Sequence, residues 1–204
     1  MIHVPNSNPT CVDCAMNTCR KNGAKYPAFC PTRDFDLQEQ HELQQLMAEE
    51  QTRCIYVSAA HSAHIGFTTE IDRLQETILF AQGYGVKKIG IASCVSYAKE
   101  ARYAAKVLRK AGFEVVGVIC KVGSLACDQV DVPLEARTPE TALCNPVYQA
   151  LMLNDEQTDL NVVIGLCVGH DSLFFKHADA PCTVLAVKDF KYGHDAVPCL
   201  QEGK

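Results

Sequence analysis

Apolar and polar positions divide the chain into two regimes. Residues 1–34 show little apolar periodicity and carry Pro5, Pro9, Pro27, Pro31, Gly23 and four cysteines. Such a segment cannot bury a core of its own and needs something else to hold it. Residues 36–51 (DLQEQHELQQLMAEEQ) bear a thin stripe at Leu37, Leu43, Leu46 and Met47, which is helical spacing. CIYVSAA (54–60) fits either a short strand or the start of a helix. From Thr68 another helix is expected, with Thr69 as N-cap and Asp72 three residues on. Ile71, Leu74, Ile78, Leu79 and Phe80 supply its apolar face, and it ends at the glycines of GYG (83–85).

Beyond Gly85 the pattern becomes regular. KKIGIASC (87–94) reads as a buried strand, SYAKEARYAAKVLRKAG (96–112) as a helix and FEVVGVICK (113–121) as a second strand. A loop with Gly123, Pro133 and Pro139 follows. TALCNPVYQALMLNDEQ (141–157) reads as a helix with Pro146 early, where proline is tolerated. LNVVIGLCVG (160–169) is a third strand, DSLFFKHA (171–178) a short helix, CTVLAVKD (182–189) a fourth strand, and 190–204 a loop. Alternation of helices with continuously apolar strands predicts a mainly parallel sheet covered on both faces. The fold expected is a three-layer α/β/α sandwich, Rossmann-like or flavodoxin-like, with four or five strands. An irregular metal-binding segment (1–34) precedes the α/β domain (35–204).

Composition narrows the function. The chain has 204 residues and a net charge of −5, without the clustered Lys and Arg of a nucleic-acid surface. No apolar run nears the roughly 20 residues that span a bilayer. The first residues lack the basic-then-apolar pattern of a secretory signal, so a cytoplasmic location is expected. Cysteine is the anomaly, with 12 against 4 Met and no Trp. In a chain of this length, in a reducing compartment, patterned cysteines point to metal ligands or reactive thiols rather than disulfides.

Two groups of cysteines follow. Cys11-x2-Cys14-x4-Cys19-x10-Cys30 lies in the irregular segment. Four thiolates there could enclose a zinc ion or an iron–sulfur cluster, and metal binding yields enough free energy to order a coreless segment. The spacing is unlike the repeated Cys-x2-Cys of a zinc ribbon. In the second group, Cys94, Cys120 and Cys167 end the first three strands of the regular region, and Cys144 falls in the first turn of the helix leading to the third. In an open α/β sheet, ligands bind beyond the carboxyl ends of the strands at the topological switch point. Each of these cysteines could instead be a small buried hydrophobe. Polar neighbours add candidates: His170 and Lys121 as proton donors or acceptors toward substrate, Asn145 and Asp171 as contacts to a cofactor. Asp171 also suits an N-cap, and Lys121 a solvated position. His61-x2-His64 could ligate metal, but its Ser and Ala neighbours fit a turn. Cys54, Cys127, Cys182 and Cys199 have no partner spacing.

Several of these residues carry a resemblance. LCNPVYQALMLNDEQTDLNVVIGLCVGHDSLFFKHADAPCTVLAVKD (143–189), GVKKIGIASC, LRKAGFEVVGVICKVGS and the CVDCAMNTC-to-Cys30 arrangement resemble the domain of unknown function 1847 family, described as cysteine-rich metal-binding proteins. The resemblance implies metal binding and both cysteine groups, and supplies no reaction. Ser93, Ser96, Tyr97 and Cys182 depart from the family pattern but leave the ligands intact.

The expectation is one or two iron–sulfur clusters of the 4Fe-4S type. They would serve an oxidoreductase or desulfidase acting on a small molecule, or exchange electrons with a partner. If three thiolates bind at the sheet edge, an open iron can act as a Lewis acid. The alternatives are a structural zinc protein and a thiol-redox or metal-trafficking protein.

Overall fold

The computed structural model describes residues 11–21, 23, 25–33, 36–133, 135 and 142–201. Pro5, Pro9, Pro139 and the helix start expected at Thr141 lie outside the described residues. The chain forms two compact units, 1–56 and 57–204.

The first unit opens on short 3-10 turns at Cys11–Asp13, Thr18–Arg20 and Pro31–Arg33. No described residue between 11 and 33 is buried. Helix α1 (Leu37–Ala48) is entered through a capping box, in which Asp36 accepts from the Glu39 amide and Glu39 accepts from the Asp36 amide. Two of the helix's otherwise unpaired N–H groups are thereby satisfied. Glu49 breaks the helical path, and α2 (Glu50–Thr69) begins at once.

The second unit holds α3 (Arg73–Tyr84), β1 (Lys88–Ser93), α4 (Ala98–Lys110), β2 (Glu114–Ile119), α5 (Pro146–Asp155), β3 (Leu160–Ile164), α6 (His170–His177) and β4 (Cys182–Ala186). CIYVSAA (54–60) is helical, inside α2, which settles its two alternatives. Two expectations need correcting. His61-x2-His64 also lies inside α2, so the histidines stand one turn apart on an exposed helix surface rather than in a turn. The α3 cap is Asp72 with Gln75, not Thr69, whose hydroxyl bonds back to the Ile65 carbonyl within α2. Threonine commonly makes that backward bond inside a helix.

The sheet has four strands, all parallel, in the order β2-β1-β3-β4. Apolar β1 and β3 occupy its centre, and β3 is buried along its whole length. From β1 the chain crosses to β2 on one side, then returns past β1 to β3 on the other. Right-handed crossovers put α4 on one face, and α5 and α6 on the opposite face. The core is a single cluster that includes Ile89, Ile91, Leu108, Leu153, Val162, Ile164 and Phe174. The direction of travel reverses between β1 and β3, so the switch point lies at their carboxyl ends, where a crevice is left between diverging crossovers. No helix among the described residues is long and apolar enough to cross a membrane.

Candidate functional site

The carboxyl ends of β1, β2 and β3 deliver thiols to one edge. Cys94 immediately follows β1, and its amide donates to the Ile164 carbonyl of β3 at 3.1 Å. Cys120 immediately follows β2, and its amide donates to the Ser93 carbonyl at 2.8 Å. Sheet pairing thus carries one residue past each strand and fixes both cysteines in register. Cys144 lies just before α5 rather than in its first turn, because Asn145 is the cap and Pro146 opens the helix. The long return from β2 nevertheless brings it home: the Asn145 amide donates to the Cys120 carbonyl at 2.7 Å, and the Cys144 and Cys120 sulfurs are 3.7 Å apart. Cys167 sits three residues beyond β3, its carbonyl accepting from the amides of His170 and Asp171 at the start of α6.

A residue that the sequence reading missed completes the edge. Lys188, two residues past β4, donates to the Cys94 sulfur at 2.7 Å and to the Cys167 sulfur at 3.2 Å. The signal was available, since the strand-end rule that selected three cysteines selects this lysine as well. Burial would lower the Lys188 pKa, but its bonds to the two sulfurs outweigh burial and raise it. Burial pushes the Cys94 thiol up, yet the Lys188 ammonium and hydrogen bonds from Ser96 together bring it below its ordinary value. Cys120 behaves oppositely. Burial drives it up to about 12, with Cys144 and Cys94 adding to the rise, although the Val95 amide donates to its sulfur at 3.3 Å. Two neighbouring thiols are therefore tuned apart, one toward thiolate and one held protonated.

The predicted polar residues surround this edge in mixed roles. The half-buried His170 opens α6, and its pKa is lowered by burial and by the positive charges of Lys188 and Lys121. Lys121 donates to the Ala142 carbonyl at 2.5 Å, pinning the segment that carries Cys144. Asn145 caps α5 by accepting from the Tyr148 amide. Asp171 is not the α6 cap; Gly169 is, and the Asp171 carboxylate accepts from the Gly169 and Ser172 amides.

Two further residues frame the site without a motif to announce them. Gln149, fully buried on α5, donates to the Ser93 and Val118 carbonyls and so ties together the ends of β1 and β2. Tyr97 donates to the Val187 carbonyl at 3.1 Å and packs edge-on against His194, which holds the chain next to Lys188.

In the first unit, Cys11 and Cys14 share one turn through the Cys14 amide and the Cys11 carbonyl. Cys11 and Cys19 are exposed, and Cys14 and Cys30 half-buried. Among the described residues, no three or more His, Cys, Asp or Glu side chains are gathered closely enough to hold one metal ion.

The comparisons with known proteins agree with one another. An uncharacterised protein of Methanocaldococcus jannaschii is 42% identical over 128 residues, which are 63% of this chain and 66% of that protein. The chain thus spans a little under two thirds of that relative's length. No solved structure matches. The family described as protein of unknown function DUF1847 matches residues 30–185, a span that includes the whole carboxyl-edge cysteine set, and the chain belongs to that family.

Proposed function

We propose that the carboxyl edge of the sheet is a metal centre whose occupant is an iron–sulfur cluster ligated by Cys94, Cys120 and Cys167, with Cys144 as fourth ligand or as neighbour to an open iron. The observation that carries this reading is the convergence of four thiols, from four separate stretches of chain, on the switch point of a parallel sheet. The donor chemistry fits. Lys188 and the Val95 amide both aim N–H groups at sulfur, the kind of hydrogen bonding that tunes clusters held by thiolates. Such a cluster supplies electron transfer when closed and Lewis acidity when one iron is open. His170 and Lys121 would then face a small-molecule substrate in a sulfur-handling or redox reaction, with Asn145 and Asp171 holding the loops around the cofactor. Cys11, Cys14, Cys19 and Cys30 form a second, separate site in this reading. A reducing compartment such as the cytoplasm keeps all of these thiols available.

The test is iron, zinc and acid-labile sulfide per chain after purification without oxygen. We expect iron with matching sulfide, about four of each per cluster. The double variant Cys94→Ser/Cys167→Ser should lose the share held at the sheet edge and keep the rest. Zinc without sulfide removes the cluster reading. If Cys144→Ser keeps its iron but loses turnover, the open-iron version stands.

A second reading has its own observation. The Cys120 and Cys144 sulfurs, 3.7 Å apart, need only a small movement to reach disulfide bonding distance. A thiol-redox protein would then cycle this pair. Mild oxidation of metal-free protein followed by peptide mapping decides it: a Cys120–Cys144 disulfide reducible by dithiothreitol supports cycling, and two separately alkylated thiols exclude it.

A further inference from the structure

A cleft on the α4 face of the sheet is independent of the metal reading. It has a volume of about 410 Å³ and runs between α4 and the strands β1 and β2, of which β2 is the sheet edge. The apolar residues that helix α4 presents to this space are the small Ala98, Ala101 and Ala105, too little to fill it. The floor is barer still at Gly117, in the middle of β2. Its backbone is ordinary strand, outside the left-handed region that demands glycine. A Cβ built there would meet nothing closer than 3.7 Å, and both nearest atoms belong to Ile91. Packing therefore does not require glycine, while a strand interior favours β-branched residues and is weakened by glycine. The missing side chain keeps the cleft open, at a cost to the strand.

Charge completes the picture. Arg102 and Arg109 stand two turns apart on α4 and both line the cleft, whose walls include no acidic side chain among the described residues. Arg109 is partly engaged, donating to the Val115 carbonyl at 2.8 Å. Arg102 makes no ion pair or hydrogen bond among the described residues. Two guanidiniums without a carboxylate, on a chain of net charge −5, form a local site for an anion. The volume falls in the range of small-molecule pockets.

We infer that this cleft binds a small organic anion. A flat apolar body lies on Gly117 between Ile91 and Ile119, and a carboxylate or phosphate group engages Arg102 and Arg109. Arg109 lies toward the amino ends of the strands, so the other end of the molecule reaches Ser93 and Ile119. Each of these immediately precedes a thiol-bearing residue, Cys94 and Cys120.

The test uses the whole chain, labelled with 15N, titrated with 2-naphthoate and separately with the uncharged naphthalen-2-ylmethanol. Amide shifts are followed at Gly117, Ile119 and Ala105. Saturable shifts there are expected, with the acid binding at least fivefold tighter than the alcohol. Arg102→Gln, on an exposed helix surface where folding is not at stake, should bring the two ligands within about twofold of each other. Gly117→Val should abolish binding of both. Equal binding of acid and alcohol to the unaltered chain, acid binding untouched by Arg102→Gln, or shifts confined to Leu74 and Leu185 on the far side of α4 would overturn the assignment.

Discussion

Gly165 shows how much of the site hangs on single atoms. It has φ +62°, a left-handed conformation, and an added Cβ would lie 2.4 Å from the ring of Tyr97. That ring holds Val187 and, through it, the approach of Lys188 to the thiols. Gly165→Ala should therefore cost stability twice, by backbone strain and by displacing Tyr97, about 1–3 kcal/mol in urea unfolding. Gly169→Ala is the control. It also has positive φ but meets nothing within 4 Å, so it should lose only the backbone contribution, about 1 kcal/mol. Equal losses would show that the Tyr97 contact is soft. Gln149 is the second such residue, since its amide donates to the carbonyls of Ser93, just before Cys94, and Val118, two residues before Cys120. Gln149→Leu removes both donors from a buried location, and a loss of about 1–3 kcal/mol is expected by the same measurement. Neither residue was legible in advance. A glycine's φ and a glutamine's partners are fixed by what the fold brings against them.

At the scale of elements, most of the reading held for a physical reason. Buried strands and amphipathic helices write their burial into the chain at periods of two and 3.6. The four strands of the regular region and the helices between them appeared where that pattern put them, with ends trimmed by a few residues. The pattern failed around α2 and α3. Much of the α2 surface is exposed, so it carries no clear stripe, and threonine at 68–69 looked like a cap when it closed a helix instead. Asp72→Ala tests the true cap and should cost about 0.5–2 kcal/mol. Thr69→Val should cost much less. Lys88 links elements in another way, pairing with Glu114 at the start of β2 and Glu156 after α5. Those hydrogen bonds raise its pKa above its ordinary value, with burial acting the other way. A raised lysine pKa contributes stability that is present below the unfolded-state value and is lost as pH rises through the folded-state value. Lys88→Met should therefore lower the Tm slightly at neutral pH, the pairs being exposed. The difference from the unaltered chain should vanish in strongly alkaline buffer; a difference that persists there would trace to packing of the lysine stem.

For the molecule as a whole, the proposed metal binding predicts that the two units respond differently to metal removal. The sheet unit buries its own apolar core, from Ile89 to Phe174, without help from any ligand. Chelation under anaerobic conditions should leave its helix and strand circular dichroism and a cooperative urea transition intact. Residues 11–33 contain no buried residue among those described, so proteolysis after chelation should cut there first. Loss of cooperative unfolding in the metal-free chain would instead make metal part of the sheet unit's folding. By itself the sequence determined the α/β class, the parallel sheet and the arrival of Cys94, Cys120 and Cys167 near strand ends, because burial periodicity and strand termini are local properties of the chain. Only the tertiary structure decided the order β2-β1-β3-β4, and with it the switch point between β1 and β3. It also decided that Lys188 bridges Cys94 and Cys167, that Cys144 meets Cys120 across a long return, and that Gln149 ties two strand ends. Those contacts join residues from 21 to 94 positions apart. Nothing local records which distant segment will close against which; strand pairing and crossover handedness settle that together once the whole chain is folded.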